Sequence, residues 1–177
     1  MILLKSPLRI SLGGGGTDLE SFYRIEDGYL VAGAINKFIY IAIHENFSDE
    51  IILKYSKFEK NTSLENIKHP IFREALRLYC PNKNNLEITS FADIPSGTGL
   101  GSSSTFTNAL ILGLNKLNGI NLDSEQLAQA SCNLEINVLN EPIGKQDQYI
   151  SSYGGIREFT FKKDGKVEQK LVYENLC

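Results

Sequence analysis

The stretch Pro95–Ser104, Pro-Ser-Gly-Thr-Gly-Leu-Gly-Ser-Ser-Ser, constrains this chain more than any other feature. Its glycines let the backbone reach positive φ and let a bulky ligand approach the amides. An apolar helical run follows the hydroxyl residues, so a helix that begins near Ser102 would add free N–H groups and the positive end of its dipole. The stretch therefore predicts a cradle for a phosphate chain. A flexible turn before a helix is the alternative.

Composition limits the classes of function. The chain has 177 residues, 42% apolar and 22% charged, which is typical of a soluble protein with room for one domain and a core. A net charge of −3 argues against nucleic acid as the main partner. Cys80, Cys132 and Cys177 form no Cys-x-x-Cys pair, so neither a disulfide framework nor a zinc site is predicted, and a reducing cytoplasm is expected. No signal peptide or membrane span is recognisable, so we expect no membrane partner.

Apolar spacing and turn residues predict the order of elements. The predicted strands are 2–12, 29–35, 38–44, 50–55, 86–91, 156–162 and 167–173. The predicted helices are a short one at 18–26, then 70–79, 105–118 and one that begins at Asp123, where Gln126 completes a capping-box pair. Residues 29–44 are expected to form a hairpin that turns at Asn36 and Lys37, and 56–69 and 140–147 are expected to be loops.

The predicted order lacks the regular βαβ alternation of a doubly wound sheet. We therefore expect an α+β fold, a mixed sheet with helices packed on one side.

Two common nucleotide motifs do not fit the glycines. A P-loop requires lysine after its last glycine, but Ser102 follows Gly101. A dinucleotide fingerprint needs a βαβ unit with an acidic residue at its second strand, and the Gly13–Gly16 run lacks that setting.

Three segments together resemble the motifs of the GHMP kinases, which include galactokinase, homoserine kinase, mevalonate kinase and phosphomevalonate kinase. Residues 95–104 resemble the family's nucleotide-phosphate motif, residues 7–18 its N-terminal substrate motif and residues 144–149 its catalytic aspartate segment. The four-glycine run and the string Gly-Lys-Gln-Asp-Gln-Tyr most resemble the bacterial heptose-phosphate kinases. The implied fold is the family's ribosomal-protein-like N-terminal domain.

The resemblance also implies a domain assignment. Residues 1–177 would form the N-terminal, ATP-binding domain, and the family's C-terminal domain, which closes the site, would be absent from this chain. We expect these residues alone to bind nucleotide weakly and to turn over poorly or not at all.

The resemblance assigns a role to the glycine-rich stretch and to two charged residues. The ATP phosphates would be bound by Pro95, Gly97, Thr98, Gly99, Leu100, Gly101, Ser102, Ser103 and Ser104. Asp147 would be the catalytic aspartate that accepts or orients the attacking hydroxyl. Arg9 would steady Asp147 or the phosphoryl group in flight. The alternatives are a helix-capping aspartate and a surface strand arginine.

The resemblance implies a magnesium ion as cofactor beside ATP. Glu135 matches the family's magnesium-binding glutamate, and Ser103 matches the serine that shares the ion. One carboxylate and one hydroxyl suit magnesium, which prefers hard oxygen ligands and the phosphates of the nucleotide. The alternative for Glu135 is a solvated helix carboxylate.

The implied substrate-binding residues are Gly14, Gly15, Gly16, Thr17, Asp18, Lys145 and Gln146. Asp18 matches the aspartate that holds sugar hydroxyls in galactokinase, although it could also cap residues 19–25. Galactokinase-like members carry Glu-His where this chain has Gly15 and Gly16. The space gained suits a larger or phosphorylated sugar, whose phosphate Lys145 and Arg24 could meet.

The implied activity is an ATP-dependent sugar kinase that transfers the γ-phosphoryl to the anomeric hydroxyl of a heptose 7-phosphate, a step towards nucleotide-activated heptose for surface polysaccharides. The expected partners are ATP and a sugar or sugar phosphate. One alternative is a kinase of an unphosphorylated sugar of the fucose, uronic acid or galactose type. The other is a non-catalytic nucleotide- or sugar-binding module.

Overall fold

A seven-stranded mixed sheet organises residues 1–174, the part of the chain that the computed structural model describes. Its strands are β1 (Ile2–Gly13), β2 (Gly28–Glu45), β3 (Ile51–Lys54), β4 (Phe58–Asn61), β5 (Leu86–Ala92), β6 (Ile156–Phe161) and β7 (Val167–Tyr173). They are ordered β4-β3-β5-β2-β6-β7, and β1 pairs with β2. Strands β3 and β5 are parallel, and the other pairs are antiparallel.

Five α-helices accompany the sheet in the described residues. They are α1 (Glu20–Tyr23), α2 (Pro70–Tyr79), α3 (Ser102–Leu117), α4 (Ser124–Cys132) and α5 (Gln146–Tyr153). A π-helical segment, Asn133–Val138, continues α4, and a 3₁₀ turn covers Leu64–Asn66. Asp123 and Gln126 form the predicted capping box at the start of α4. No helix described here is both long and apolar enough to span a bilayer.

Two apolar clusters place these helices on one face of the sheet. Helices α2 and α3 pack on one end, around Ile41, Leu53 and Phe72, and helices α4 and α5 pack on the other, around Leu30 and Phe159. The opposite face leaves aromatic side chains such as those of Tyr29 and Phe91 exposed. The expected α+β fold with a mixed sheet is confirmed.

The predicted hairpin over 29–44 is wrong, because β2 is one continuous strand of 18 residues. Its first half pairs with β6 and its second half with β5, while β1 pairs with both halves. Asn36 and Lys37 lie where the β1–β2 register shifts. Neither adopts the positive φ of a tight hairpin turn. The extra residues make a bulge, which bends a strand without reversing it.

Two smaller predictions also differ from the structure. The expected loop over 56–69 contains β4 and the 3₁₀ turn, because β4 adds antiparallel pairing to the edge of β3. The short helix expected over 18–26 is reduced to α1, and Leu19 rather than Asp18 occupies its N-cap position. The Asp18 carboxylate is bonded elsewhere, as described below.

Helix α3 lies against β1 and β2 through a glycine. A Cβ on Gly113 would lie 2.6 Å from Ile43 Cδ1 and 2.7 Å from Leu4 Cδ1. A Cβ on Gly13, at the end of β1, would meet nothing within 4 Å. The close approach at Gly113 fixes the height of α3 above the sheet, and with it the position of the residues at the start of α3.

We expect Gly113→Val to lower the free energy of unfolding by about 1–3 kcal/mol, because added methyl groups in a packed core force neighbours out of their rotamers. Urea unfolding followed by circular dichroism measures this loss. Gly13→Val is the matched control and should change the free energy of unfolding by less than about 1 kcal/mol. Equal losses in the two variants would contradict the packing described for α3.

Candidate functional site

A cleft of about 600 Å³ opens where the loop before α3 meets β1 and the start of α5. It brings together twelve of the residues singled out in the sequence: Arg9, Gly16, Asp18, Gly97, Gly99, Gly101, Ser102, Ser103, Ser104, Glu135, Gln146 and Asp147. Seven other predicted binding residues do not line the cleft in the described part of the chain: Gly14, Gly15, Thr17, Pro95, Thr98, Leu100 and Lys145. Segments that lie far apart in the sequence therefore face one space.

The glycine-rich loop enters α3 in an unusual backbone conformation. Gly97, Gly99 and Gly101 all have positive φ, and Gly101 is the N-cap of α3 at φ 74°. A Cβ on Gly101 would lie 3.0 Å from an Asp147 carboxylate oxygen and 3.1 Å from Arg9 Cγ. Residue 101 must therefore be glycine, both because its φ is positive and because two charged side chains approach it closely. The first N–H groups of α3 have no acceptor within the helix and point into the cleft.

Arg9 and Asp147 form a two-pronged ion pair. Arg9 Nε donates to Asp147 Oδ1 at 2.6 Å, and Arg9 Nη2 donates to Oδ2 at 2.8 Å. The remaining Nη1 donates to the carbonyl of Gly99 at 2.8 Å. The side chain of Arg9 is only 11% exposed, so it is not a free surface arginine. A bidentate arginine fixes the position of its carboxylate, and here it also holds the glycine-rich loop through the carbonyl of Gly99.

Asp147 is the second residue of α5, and Lys145 occupies the N-cap position. The carboxylate of Asp147 is bonded to Arg9 and not to an N–H group of the helix. Asp147 therefore does not have the helix-capping role that was the alternative for it. The Asp147 carboxylate, 21% exposed, faces the same cleft as the glycine-rich loop.

Glu135 is a buried carboxylate surrounded by neutral donors. Ser103 Oγ lies 3.4 Å and Thr107 Oγ1 3.0 Å from its Oε1, and Gln148 Nε2 donates to Oε2 at 2.5 Å. The whole residue is 1% exposed, so the solvated alternative does not hold. Burial raises the pKa of the Glu135 carboxyl above its usual value, and these hydrogen bonds oppose that rise.

The site around Glu135 fits a magnesium ion by the chemistry of its donors. No ion pair within residues 1–174 includes Glu135, so its negative charge has no positive side chain nearby. Among these residues no three His, Cys, Asp or Glu side chains gather into a metal cluster. A single carboxylate and the Ser103 hydroxyl, beside the glycine-rich loop, suit a magnesium ion that takes its other ligands from water and a phosphorylated ligand.

Gln148, for which no separate role was predicted, lies under the site. Its amide nitrogen bonds both Glu135 and the Ser104 hydroxyl, the latter at 3.1 Å, and the side chain is fully buried. Gln148 directly follows Asp147 in the string that carries the family resemblance, which was the available signal. The cleft is also lined by four residues that no sequence motif predicted: Leu19, Ile71, Glu141 and Ile143.

Asp18 joins two loops that border the cleft. Its Oδ1 accepts from the N–H of Gly16 at 3.1 Å, and its Oδ2 accepts from the N–H of Gln146 at 3.0 Å. Gly144 passes so close that any side chain there would collide with the Asp18 carboxylate. Asp18 is 4% exposed. It thus holds residues 144–147 against the four-glycine run.

Lys145 and Arg24 lie outside this cleft. Both line a second cavity of about 650 Å³ between α1, α4 and the β6–β7 turn. Residues 18–24 and 144–146 form a wall between the two cavities. Its members that line the cleft are Asp18, Leu19, Gly144 and Gln146, and those that line the second cavity are Glu20, Tyr23, Arg24 and Lys145.

A third, more apolar pocket of about 510 Å³ adjoins the glycine-rich loop. It shares Ile71, Gly97, Ser102 and Ser103 with the cleft. Its far wall carries aromatic rings, with His69 packed edge-on against Tyr55 and Phe72. A flat apolar group joined to a phosphate chain could occupy the two spaces together.

The raised pKa of Glu135 predicts a pH effect. The folded state holds the Glu135 proton more tightly than the unfolded state, so this contribution to stability is full at low pH and is lost as pH rises through the folded-state pKa. Relative to the unmodified chain, Glu135→Gln should therefore gain stability as the pH of a metal-free buffer rises from the ordinary glutamate pKa of 4.5 to neutral pH. Urea midpoints with a chelator present measure this difference, and a constant difference across that range would contradict it.

Comparison with known proteins places the chain in a family. Residues 66–155 match the model of the GHMP kinases N terminal domain. A D-glycero-alpha-D-manno-heptose 7-phosphate kinase of Campylobacter jejuni is 26% identical over 94% of this chain and 52% of its own length. A mevalonate kinase of Archaeoglobus fulgidus is 30% identical over 82% of this chain and 49% of its own. The chain spans about half the length of the curated relatives it matches.

Solved structures agree in fold. A D-glycero-D-manno-heptose 1-phosphate kinase from Bacteroides thetaiotaomicron superposes with a TM-score of 0.87 at 25% identity, over 96% of this chain and 59% of that one. A galactokinase of Lactococcus lactis superposes with a TM-score of 0.75 at 18% identity, over 96% of this chain and 47% of that one. With the matching family model, these findings show that the chain belongs to the GHMP kinase family, through that family's N-terminal domain.

Proposed function

We propose that this chain is the ATP-binding half of a magnesium-dependent sugar kinase, and that its acceptor is a heptose 7-phosphate. One observation carries the proposal: the Arg9–Asp147 pair, the glycine-rich loop and the buried Glu135 all face one cleft. Phosphoryl transfer demands positioning and charge stabilisation more than covalent chemistry, and these are the resources gathered there.

The nucleotide would lie across the cleft and the apolar pocket beside it. The N–H groups at the start of α3 and the open backbone of Gly97, Gly99 and Gly101 are suited to hold the phosphates. The base would lie in the pocket lined by Tyr55, His69 and Phe91, with the phosphates passing the shared edge at Gly97 and Ser102.

Glu135 and Ser103 would hold the magnesium ion, which when bound neutralises charge on the transferring phosphates. The chain's own contribution is to orient Glu135. Thr107 and Gln148 do this by donating to its two oxygens, and these bonds oppose the rise that burial causes in its pKa.

Asp147 would accept the proton of the attacking hydroxyl or orient that hydroxyl, and Arg9 holds its carboxylate in position for this task. Asp18 holds the backbone that carries Asp147 in place and lines the same cleft, where its carboxylate would accept sugar hydroxyls. A cytoplasmic location, where ATP is made, follows from this proposal.

The heptose phosphate acceptor is supported by similarity to a heptose 7-phosphate kinase and by Gly15 and Gly16, which leave the pocket free of the side chains found in galactokinase-like members. A kinase for an unphosphorylated sugar is the second candidate, favoured by 26% identity to a galactokinase of Thermotoga neapolitana. In either case we propose that a C-terminal domain supplies the other wall of the cleft, because the relatives are about twice as long as this chain.

A pure binding module is the less favoured candidate, since binding alone needs neither a base nor a buried metal carboxylate.

We expect magnesium to tighten ATP binding to this chain, and Glu135→Gln to weaken binding of magnesium–ATP by about tenfold, because a charge-assisted contact is lost. Calorimetric titration with and without magnesium measures this.

The matched control for this titration is Glu26→Gln, an exposed carboxylate outside the cleft. Metal-free ATP should bind the unmodified chain and Glu135→Gln alike. Binding of ATP that ignores magnesium would favour the module over the kinase.

In the complete enzyme, Asp147→Asn should lower kcat by about two orders of magnitude or more, because the amide cannot take the proton. The affinity for magnesium–ATP should stay within about twofold, since Asp147 contacts Arg9 and not the phosphate-binding amides. A coupled assay of ADP release measures turnover. Near-normal turnover would show that Asp147 is not the base.

A further inference from the structure

We infer that the second cavity, behind the catalytic segment, is a binding site for the phosphate group of a phosphorylated sugar, with Lys145 as its principal contact. The inference rests on the proposed function only in naming a sugar phosphate as the ligand. The cavity measures about 650 Å³ and lies between α1, the α4–π-helical segment and the turn that joins β6 to β7.

Lys145 is the cation of this cavity that lacks a counter-ion. Its Nζ donates to the carbonyl of Gly165 at 2.9 Å and lies 4.7 Å above the ring of Tyr23. An ammonium has three N–H groups, so two remain for a ligand. None of the ion pairs found in residues 1–174 includes Lys145.

The carboxylates around the cavity are already engaged, so none of them neutralises Lys145. Glu20 pairs with Arg24, Asp164 with Lys166, and Glu168 with Lys162. Glu125 accepts the hydroxyls of Tyr149 and Tyr153 at 2.9 and 2.8 Å. A charged ammonium, partly removed from water and without an opposite charge, favours the binding of an anion.

A second cation converges on the same point. Arg24 Nη1 and Lys145 Nζ lie 3.8 and 3.9 Å from the position that a side chain on Gly165 would occupy. The two cationic ends therefore lie close together on one side of Gly165, and one phosphate group between them could contact both. Arg24 also lies over the Tyr23 ring, with its guanidinium carbon 5.6 Å from the centroid.

The rest of the lining suits the sugar that carries the phosphate. The side-chain amides of Gln129, Asn133 and Asn137 face the cavity from α4 and the π-helical segment. Each amide offers a donor and an acceptor, the pair that neighbouring hydroxyls require. The ligand class is therefore a phosphate monoester of a polyol rather than a free nucleotide or an apolar anion.

Occupation of this site bears on the catalytic segment. Lys145 precedes Gln146, whose N–H is held by Asp18, and Asp147 follows. A ligand that draws on Lys145 acts on the same short stretch of backbone that positions the Asp147 carboxylate. The phosphate could belong to the reacting sugar, reaching past the wall at residues 18–24, or to a separate molecule.

The test is a calorimetric titration of the chain with D-glycero-D-manno-heptose 7-phosphate and with the unphosphorylated heptose. We expect the phosphate to bind about tenfold more tightly, as a charge-assisted contact provides. Lys145→Gln should abolish that preference, and Lys145→Arg, which keeps the charge, should retain most of it. The control is Lys166→Gln, because Lys166 lines the same cavity but is exposed and paired with Asp164.

Equal binding of the two sugars to the unmodified chain, or undiminished binding of the phosphate to Lys145→Gln, would overturn the site. Displacement of the bound heptose by its phosphate indicates one site for the reacting sugar, and simultaneous binding indicates a separate ligand; both outcomes support the phosphate contact. The magnesium–ATP titration tests the kinase proposal independently. If the chain binds magnesium–ATP but shows no preference for the phosphorylated sugar, only the phosphate site is contradicted.

Discussion

The ion pair between Arg9 and Asp147 is the interaction on which the candidate site depends. Arg9 comes from β1 and Asp147 from α5, 138 residues later, and the third arm of the guanidinium reaches the glycine-rich loop. Three segments of different origin are thereby held at hydrogen-bond distance. Gly101 makes this possible, because any side chain there would separate the loop from the pair. Loop conformation and carboxylate position are thus both tied to the side chain of Arg9, through separate hydrogen bonds.

A second constraint lies beneath that pair. Within residues 1–174 the Glu135 carboxylate is buried without a positive partner, and hydroxyl and amide donors from α3 and α5 support it. Burying a charge in this way opposes folding. Such an arrangement is costly for a purely structural residue and useful for one that awaits a cation, and it is the main physical reason for preferring catalysis over simple binding.

Much of this could be predicted from the sequence, because the informative residues are glycines, hydroxyls and carboxylates in short strings. The fold class, the span of α2 and the capping box of α4 followed from local spacing. The continuity of β2 could not be predicted, since Asn36 and Lys37 suit a turn locally and only pairing with β5 and β6 keeps the strand extended. The direction of the Lys145 side chain could not be predicted either, because consecutive residues of one loop, such as Lys145 and Gln146, can face different cavities. The roles of individual site residues remain predictions.

The unbroken course of β2 has a further consequence. The strand runs through both apolar clusters and pairs with β1 from Val31 to Ile43, apart from the bulge. Neither cluster can open without releasing part of this shared strand. The two apolar clusters therefore belong to one cooperative folding unit, and amide hydrogens in the two halves of β2 should exchange with solvent through the same global opening rather than through separate local ones.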